Sequence, residues 1–397
     1  MTDLLLRDAR LWGREGRTDL RIAEGRISAV GPSAAGEALA DEGAHVEDLD
    51  GAVLIPGLVD AHAHVDKTLW GGPWVPRTAG PGLAAAIAYG RDRRAEFGVP
   101  NPDFITALLT NMVVSGTTHA RSHVDIDPGI GIGAVEAVRE GVERLAGRID
   151  VELVAFPQTG ILASPGTADL MDEALRAGVK TVGGIDPGGF DGDAEAHLDL
   201  VFALAEKHGA EIDIHLHDGG DLGVREFDLI IERTRALGYA GKVVISHAFA
   251  LCDAGEAVRA RLIADLAELR IGLTSVAPRQ ILPLRELDEA GVTMGLGNDG
   301  VRDLWSPYGT GDLLQRTQWF ARNAGFSRDA DIELALEAAT FGGARLLKLD
   351  GYGLAVGDAA DLVAVAGRNP SEAVLEHPER RLVVKNGRIV AREGALV

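Results

Sequence analysis

Cysteine is almost missing from this chain: Cys252 stands alone among 397 residues. One thiol excludes an internal disulfide and any metal site built on several cysteines, and it reads as a small core or surface residue rather than a nucleophile. Basic residues are scarce too, with 39 Lys and Arg against 60 Asp and Glu and a formal net charge of −21. Such a surface repels phosphate backbones and anionic lipid, so neither a nucleic acid nor a membrane is expected as a partner. No stretch approaches 18 uncharged apolar residues, and Asp3, Arg7 and Asp8 break the apolar start, so no membrane span and no signal peptide are expected. The cytoplasm is the anticipated compartment. Three motifs are also absent: Gly-x-Gly-x-x-Gly after the first strand-like run, His-Glu-x-x-His, and the His-x-Glu with Pro-Cys-x-x-Cys pair. Their absence argues against a dinucleotide-binding open sheet, a zincin protease and a nucleoside-type zinc deaminase.

What is present is a rhythm. Short apolar or β-branched runs at 53–59, 117–124, 150–156, 179–185, 211–216, 242–246, 271–275 and 292–297 alternate with segments long enough for at least one helix. Asn101-Pro102-Asp103 offers a cap, a first-turn proline and an acid ahead of an apolar helix. Ser327 is placed to cap a helix carrying Ile332, Leu336 and Ala339 on one face, ending near Gly342-Gly343 or after Leu347. Alternating strands and helices demand parallel pairing, and eight such units fit an α/β fold of the (β/α)₈ TIM-like barrel type. The flanks break the rhythm. Short strands at 4–12, 18–22 and 26–30 are answered by strands at 361–365, 381–385 and 386–390. Two half-sets at opposite ends would pair into one small β-sandwich and spare their edges. The expected organisation is residues 1–55 as the first part of that sandwich, 56–348 as the barrel, and 349–397 as its second part.

Histidines gather at the ends of these runs. His62 and His64 are one residue apart, and in an extended strand residues i and i+2 face the same side. Two imidazoles projecting together can share a cation, although such a pair can also bond backbone carbonyls or face water. His215 and His217, His247 and Asp299 end later runs. Ligand-type side chains at the ends of successive strands are hard to explain by packing.

Several stretches match a known pattern in order: Pro56-Gly57-Leu58-Val59-Asp60-Ala61-His62-Ala63-His64, Ser122-His123-Val124-Asp125, Phe156-Pro157-Gln158, His215-x-x-Asp218, Ser246-His247, Gly297-Asn298-Asp299 and Gly357-Asp358-Ala359-Ala360-Asp361-Leu362-Val363. Over essentially its full length the chain resembles the amidohydrolase superfamily and, within it, the cytosine deaminase-like metal-dependent hydrolases. The resemblance implies that His62, His64, His215 and Asp299 hold one divalent ion, zinc or ferrous iron, which activates a water molecule. Lys180 falls early in its strand, leaving no candidate for a bridging carboxylated lysine and favouring a single metal. Asp299 would take the water proton, His247 would stabilise charge on the substrate oxygen, and His123 is as much a partner behind the ligands as a substrate contact. The alternative for His247 is a buried imidazole bonded to a carbonyl.

Departures from the pattern bear on the substrate. Asp218 stands where these relatives place a glutamate that shuttles protons; being one methylene shorter, it needs a deeper substrate, a bridging water or help from His217. Gln158 matches a glutamine that reads an amide edge and can donate and accept at once. Trp305 and Phe156 would pack on a ring. Lys67 could meet an anionic substrate group or simply pair with Asp66. The run 278–283 is shorter than its counterpart, and Gly300 replaces a second acid after Asp299. The expected activity is therefore hydrolytic deamination of a small nitrogen heterocycle. Hydrolysis of a cyclic amide or imide, or removal of a substituted amine, stands beside it, and a barrel that binds metal or ligand without turnover is the third class. A small heterocyclic molecule is the expected partner, and assembly into homo-oligomers stays open.

Overall fold

Each helix returns the chain to the same end of the sheet, so the apolar runs pair in parallel. The strands are β1 (Leu58–His64), β2 (Thr117–Asp125), β3 (Asp150–Phe156), β4 (Thr181–Ile185), β5 (Glu211–His215), β6 (Val243–Ser246), β7 (Gly272–Ser275) and β8 (Met294–Leu296). This computed structural model describes residues 3–31, 34, 44–277 and 280–397. Pro278 and Arg279, which begin the short run noted above, lie outside them. The strands lie side by side in chain order in one curled parallel sheet. Directly after β8, Asp299 and Gly300 pair with Ala63 and His64 of β1, which brings the last strand's continuation back onto the first. Helices cover the outside: Pro102–Val114 begins under an Asn101 side chain that accepts from Asp103 N–H at 2.9 Å, as its sequence signals, and buries Ile105, Leu108, Leu109, Met112 and Val113. Each fully buried Leu or Ile stabilises by roughly 1.5–3 kcal/mol.

Two local expectations shift. The run expected as one strand over 53–59 is divided at Gly57. Val53–Pro56 pairs antiparallel with Leu362–Val365, and β1 starts at Leu58 and runs through both histidines. A Cβ on Gly57 would come within 2.3 Å of Thr118 Oγ1, so only glycine lets the chain pass from one sheet to the other here. Ser327 does not cap its helix. That helix spans Asp329–Glu337, and its first turn carries Asp329 and Asp331, with Arg328 Nε donating to Asp331 at 2.9 Å. Acidic groups there already complement the exposed N–H groups. The helical path continues to Leu346, and a Cβ on Gly342 would sit 2.1 Å from Met294 O, so this turn lies directly on β8.

Strands from both flanks meet in one connected sheet, ordered Ala395–Leu396, Arg388–Arg392, Arg380–Lys385, Leu362–Val365, Val53–Pro56, Leu4–Leu11, Thr18–Ala23 and Arg26–Val30, with His45–Asp48 parallel to Leu4–Leu11. Leu6, Leu20, Ile22, Leu54, Leu362 and Val384 share its apolar cluster. A buried ion pair inside this sheet also reaches the parallel sheet. Lys385, 2% exposed, donates to Asp361 Oδ2 at 2.8 Å and sits 2.7 Å from Asp150 Oδ2 and 3.1 Å from His119 Nε2. Lys385→Met strands the Asp361 carboxylate, and denaturant unfolding is expected to show a loss of about 3–5 kcal/mol. A loss under about 1 kcal/mol, typical of an exposed pair, would show that burial of the pair adds little to stability.

Candidate active site

The alternation of β1 turns His62 and His64 to the same side, and both are buried. His215 ends β5 next to them. Asp299 follows β8 with a left-handed backbone, φ 61°, which aspartate tolerates better than most residues. Its neighbour Asn298 holds this turn: the side-chain amide donates to Asp60 Oδ2 at 2.7 Å and the backbone N–H to Asp60 Oδ1 at 3.1 Å. Arg316 donates to Asn298 O at 2.5 Å from below.

Four side chains of ligand type draw together. Asp299 Oδ1 lies 3.4 Å from His64 Nε2 and 3.8 Å from His62 Nε2, and His64 Nε2 lies 3.1 Å from His215 Nε2. Nitrogens about 2.0–2.1 Å from a tetrahedral zinc stand roughly 3.3 Å apart, so these separations suit a shared ion. His62 Nε2 is buried with no hydrogen-bond partner among the described residues. Burial pushes His62, His64 and His215 well below the usual imidazole range, and nearby positive groups add to this. Neutral imidazoles with free lone pairs are what a divalent cation requires. The residues present therefore fit a metal ion. Lys180 is exposed and precedes β4, away from the ligands.

A cavity of about 320 Å³ opens beside them, lined by His64, Lys67, Phe156, Gln158, His215, His217, His247, Asp299, Asp303 and Trp305 among others. Of the residues singled out from the sequence, Gln158, Trp305, Phe156, Lys67, His247 and Asp299 all reach it. Lys67 pairs with Asp125 rather than with Asp66: its Nζ is 3.1 Å from Asp125 Oδ1 and donates to Gln158 Oε1 at 2.5 Å, while Asp66 Oδ2 accepts the Asp125 backbone N–H. Gln158 Nε2 has no partner among the described residues. His247 has backbone φ 67°, and neither of its ring nitrogens meets a protein acceptor among the described residues, contrary to the carbonyl-bonded alternative. A second hollow, about 490 Å³, shares Lys67, Gln158 and Trp305 and adds the apolar walls of Ile87, Val99 and Leu304.

Asp218 is placed differently from its expected role. It does not line the cavity: Gly189 N–H donates to Asp218 Oδ2 at 2.8 Å, and Glu226 hydrogen-bonds to its carboxyl. His217 faces the cavity instead. Its Nδ1 lies 2.8 Å from Asp186 Oδ2, and Asp186 Oδ1 accepts the His217 backbone N–H at 2.5 Å. Burial opposes charge on His217, but the hydrogen bond and charge of Asp186 outweigh it and raise its pKa. Sequence reasoning missed Asp186, although an acid at the carboxyl end of a strand was there to be seen. It also missed Asp303. A Cβ on Gly300 would come within 1.9 Å of Asp303 Oδ2, so the acid absent at position 300 is supplied from three residues on. Burial pushes Asp303 up to about 6, against backbone N–H donors and the Lys67 charge. His123 stands behind His62, with Nε2 3.8 Å from Asp213 Oδ2, and does not line the cavity.

A curled parallel sheet with a histidine and aspartate cluster at the carboxyl ends of its strands defines a metal-dependent hydrolase of the amidohydrolase type. The chain belongs to the amidohydrolase family, whose model matches residues 103–391. It is 32% identical over 411 residues to the N-isopropylammelide isopropyl amidohydrolase of Pseudomonas sp. (strain ADP), covering 100% of this chain and 98% of that protein. The crystal structure of N-isopropylammelide isopropylaminohydrolase from Burkholderia multivorans ATCC 17616 matches with a TM-score of 0.94 and 42% identity, over 100% of both chains. That of 5-methylcytosine deaminase from Klebsiella pneumoniae liganded with 5-fluorocytosine matches with a TM-score of 0.84 and 27% identity, over 98% of this chain and 97% of the other. The protein is thus a hydrolase acting on carbon–nitrogen bonds. Among the described residues no helix is long and apolar enough to cross a membrane.

Proposed function

We propose that this enzyme hydrolyses the bond between a ring carbon and an exocyclic amine on a small nitrogen heterocycle, with a single divalent ion, zinc or ferrous iron, held by His62, His64, His215 and Asp299 in a (β/α)₈ barrel spanning 56–348. The observation that carries this is the cavity in which His64, His215 and Asp299 meet Lys67, Gln158 and His217, with His62 Nε2 3.8 Å from Asp299 Oδ1. When bound, the ion supplies Lewis acidity and lowers the pKa of a water toward neutrality. The chain does the rest. Asp299 accepts a proton from the attacking water, and His247 stabilises charge on the substrate as the ring carbon becomes tetrahedral. His217, fixed through Nδ1 by Asp186, delivers a proton from Nε2 to the departing nitrogen. Lys67, anchored by Asp125, and Gln158 grip oxygen and N–H groups on the far edge of the ring, between Phe156 and Trp305.

The leaving group is a substituted amine in the first reading, which the full-length likeness at 42% identity to an isopropylaminohydrolase supports. The apolar hollow beside Lys67 and Trp305 gives a substituted heterocycle further room. Release of free ammonia is the second reading, supported by the likeness to 5-methylcytosine deaminase. Metal-loaded protein is expected to release amine from hydroxylated triazines or pyrimidines bearing an alkylamino or amino group, with alkylamine and ammonia measured separately. Release of neither, from protein of verified metal content, would shift the reading to cyclic amide hydrolysis. The terminal strands, 1–55 and 349–397, are in this reading a small sandwich that buttresses the barrel.

A further inference from the structure

Ser246 ends β6, one residue before His247, and no step above uses it. His62 Nδ1 lies 2.9 Å from Ser246 Oγ. The Ser246 hydroxyl donates to Asp213 Oδ1 at 2.6 Å, and Thr274 Oγ1 donates to Ser246 Oγ at 2.8 Å. Arg121 Nη1 donates to the other oxygen, Asp213 Oδ2, at 3.2 Å. Ser246, Asp213, Thr274 and Arg121 are all 0% exposed, so water does not complete these bonds from bulk solvent.

Thr274 Oγ1 also lies 3.4 Å from His62 Nδ1, but Ser246 Oγ at 2.8 Å is the nearer acceptor for its proton, and distance thus decides the proton count in this chain. A carboxylate paired with Arg121 can only accept, so the single Ser246 proton goes to Asp213. Thr274 spends its proton on Ser246. The remaining Ser246 lone pair must then receive a hydrogen from His62 Nδ1. A neutral imidazole protonated at Nδ1 presents its lone pair at Nε2, the atom that is buried without a partner among the described residues and lies 3.8 Å from Asp299. We infer that Ser246 and Asp213 are positioning residues that lock His62 in the Nδ1–H tautomer and so aim its Nε2 lone pair at the metal position, with Arg121 holding the Asp213 carboxylate in place. His62, His123 and Asp213 also lie close enough together to suggest a separate cation site. The Arg121 guanidinium beside Asp213 opposes a second positive charge there, and His62 Nδ1 and both Asp213 oxygens are already engaged by Ser246 and Arg121.

This inference rests on His62 being a ligand, and the test separates the two. Zinc affinity of the full chain is measured by competition with a chromophoric chelator for wild type, Ser246→Ala, Asp213→Asn, Thr274→Val and His62→Ala. Removing partners behind a metal ligand weakens binding by about 10–100-fold, the loss expected for Ser246→Ala. Asp213→Asn should lose at least as much. Its amide can donate to Ser246, which then turns its own proton toward His62 Nδ1 and favours the wrong tautomer, the logic of aspartate-to-asparagine changes behind a functional histidine. Thr274→Val removes a neighbouring buried hydroxyl but leaves His62 its acceptor, so zinc affinity should stay near wild type. The visible absorption of the cobalt(II)-loaded Ser246→Ala protein should also differ from wild type. Unchanged zinc affinity in both Ser246→Ala and Asp213→Asn would overturn the inference. So would a loss in Thr274→Val equal to that in Ser246→Ala, since the effect would then follow packing. If Asp213→Asn fails to fold, the Ser246→Ala and Thr274→Val pair decides alone. Unchanged affinity in His62→Ala would instead overturn the ligand assignment.

Discussion

Asp299→Asn is expected to lower turnover by about 10²–10⁴-fold in metal-loaded protein, the usual contribution of a positioned acid or base. The substitution is chosen for its backbone. Asparagine shares with aspartate a tolerance for the left-handed conformation that position 299 adopts at φ 61°, so the turn held by Asn298, Asp60 and Arg316 should survive. What changes is the carboxylate. Its Oδ1 is within 3.8 Å of two imidazole nitrogens and borders the cavity, so it can serve both as a ligand and as the group that takes the water's proton. An amide accepts that proton poorly. Asp299→Ala removes the ligand atom as well and should lower metal content in addition to activity. Steady-state rates against metal content measured on the same preparations check both. Near-wild-type turnover in metal-loaded Asp299→Asn would show that another group takes the proton.

Much of this site was legible in the sequence because strand geometry is regular. The one-residue spacing of His62 and His64, the strand-ending positions of His215 and His247, and Asp299 after an apolar run all report side chains at one end of a parallel sheet. Gln158, Lys67 and Trp305 also reach the cavity as expected. What escaped was set by contacts between loops. Gly57 separates two strands of different sheets, and the crowding by Thr118 that requires glycine there is a fact no local pattern carries. Asp303 enters the site because Gly300 leaves the space, and Asp186 matters only once β4 and β5 lie side by side. Adjacent His217 and Asp218 cannot be told apart from spacing alone, since either can turn inward at a strand end.

His217→Asn and Asp218→Asn should therefore behave very differently. For His217→Asn a fall in turnover of about 10²–10⁴-fold is expected with metal content unchanged, because the proton donor to the leaving nitrogen is lost while the ligands stay in place. Asp186→Asn should fall in the same direction, since it removes the carboxylate 2.8 Å from His217 Nδ1 that fixes the ring and favours its charged form. Asp218→Asn should leave turnover within a few-fold of wild type. Its carboxyl is engaged with Gly189 N–H and Glu226 rather than the cavity. Burial, reinforced by the Asp218 charge, pushes Glu226 up to about 8, so near neutral pH Glu226 holds a proton that it can donate to Asp218. An amide at 218 can take over that bond. On this view aspartate suffices at position 218, where the resemblance places a longer glutamate, because the proton traffic has moved one residue back along the chain to His217. A large loss in Asp218→Asn with little change in His217→Asn would return the shuttle to Asp218, and single-turnover rates on metal-replete protein would distinguish the two without interference from product release.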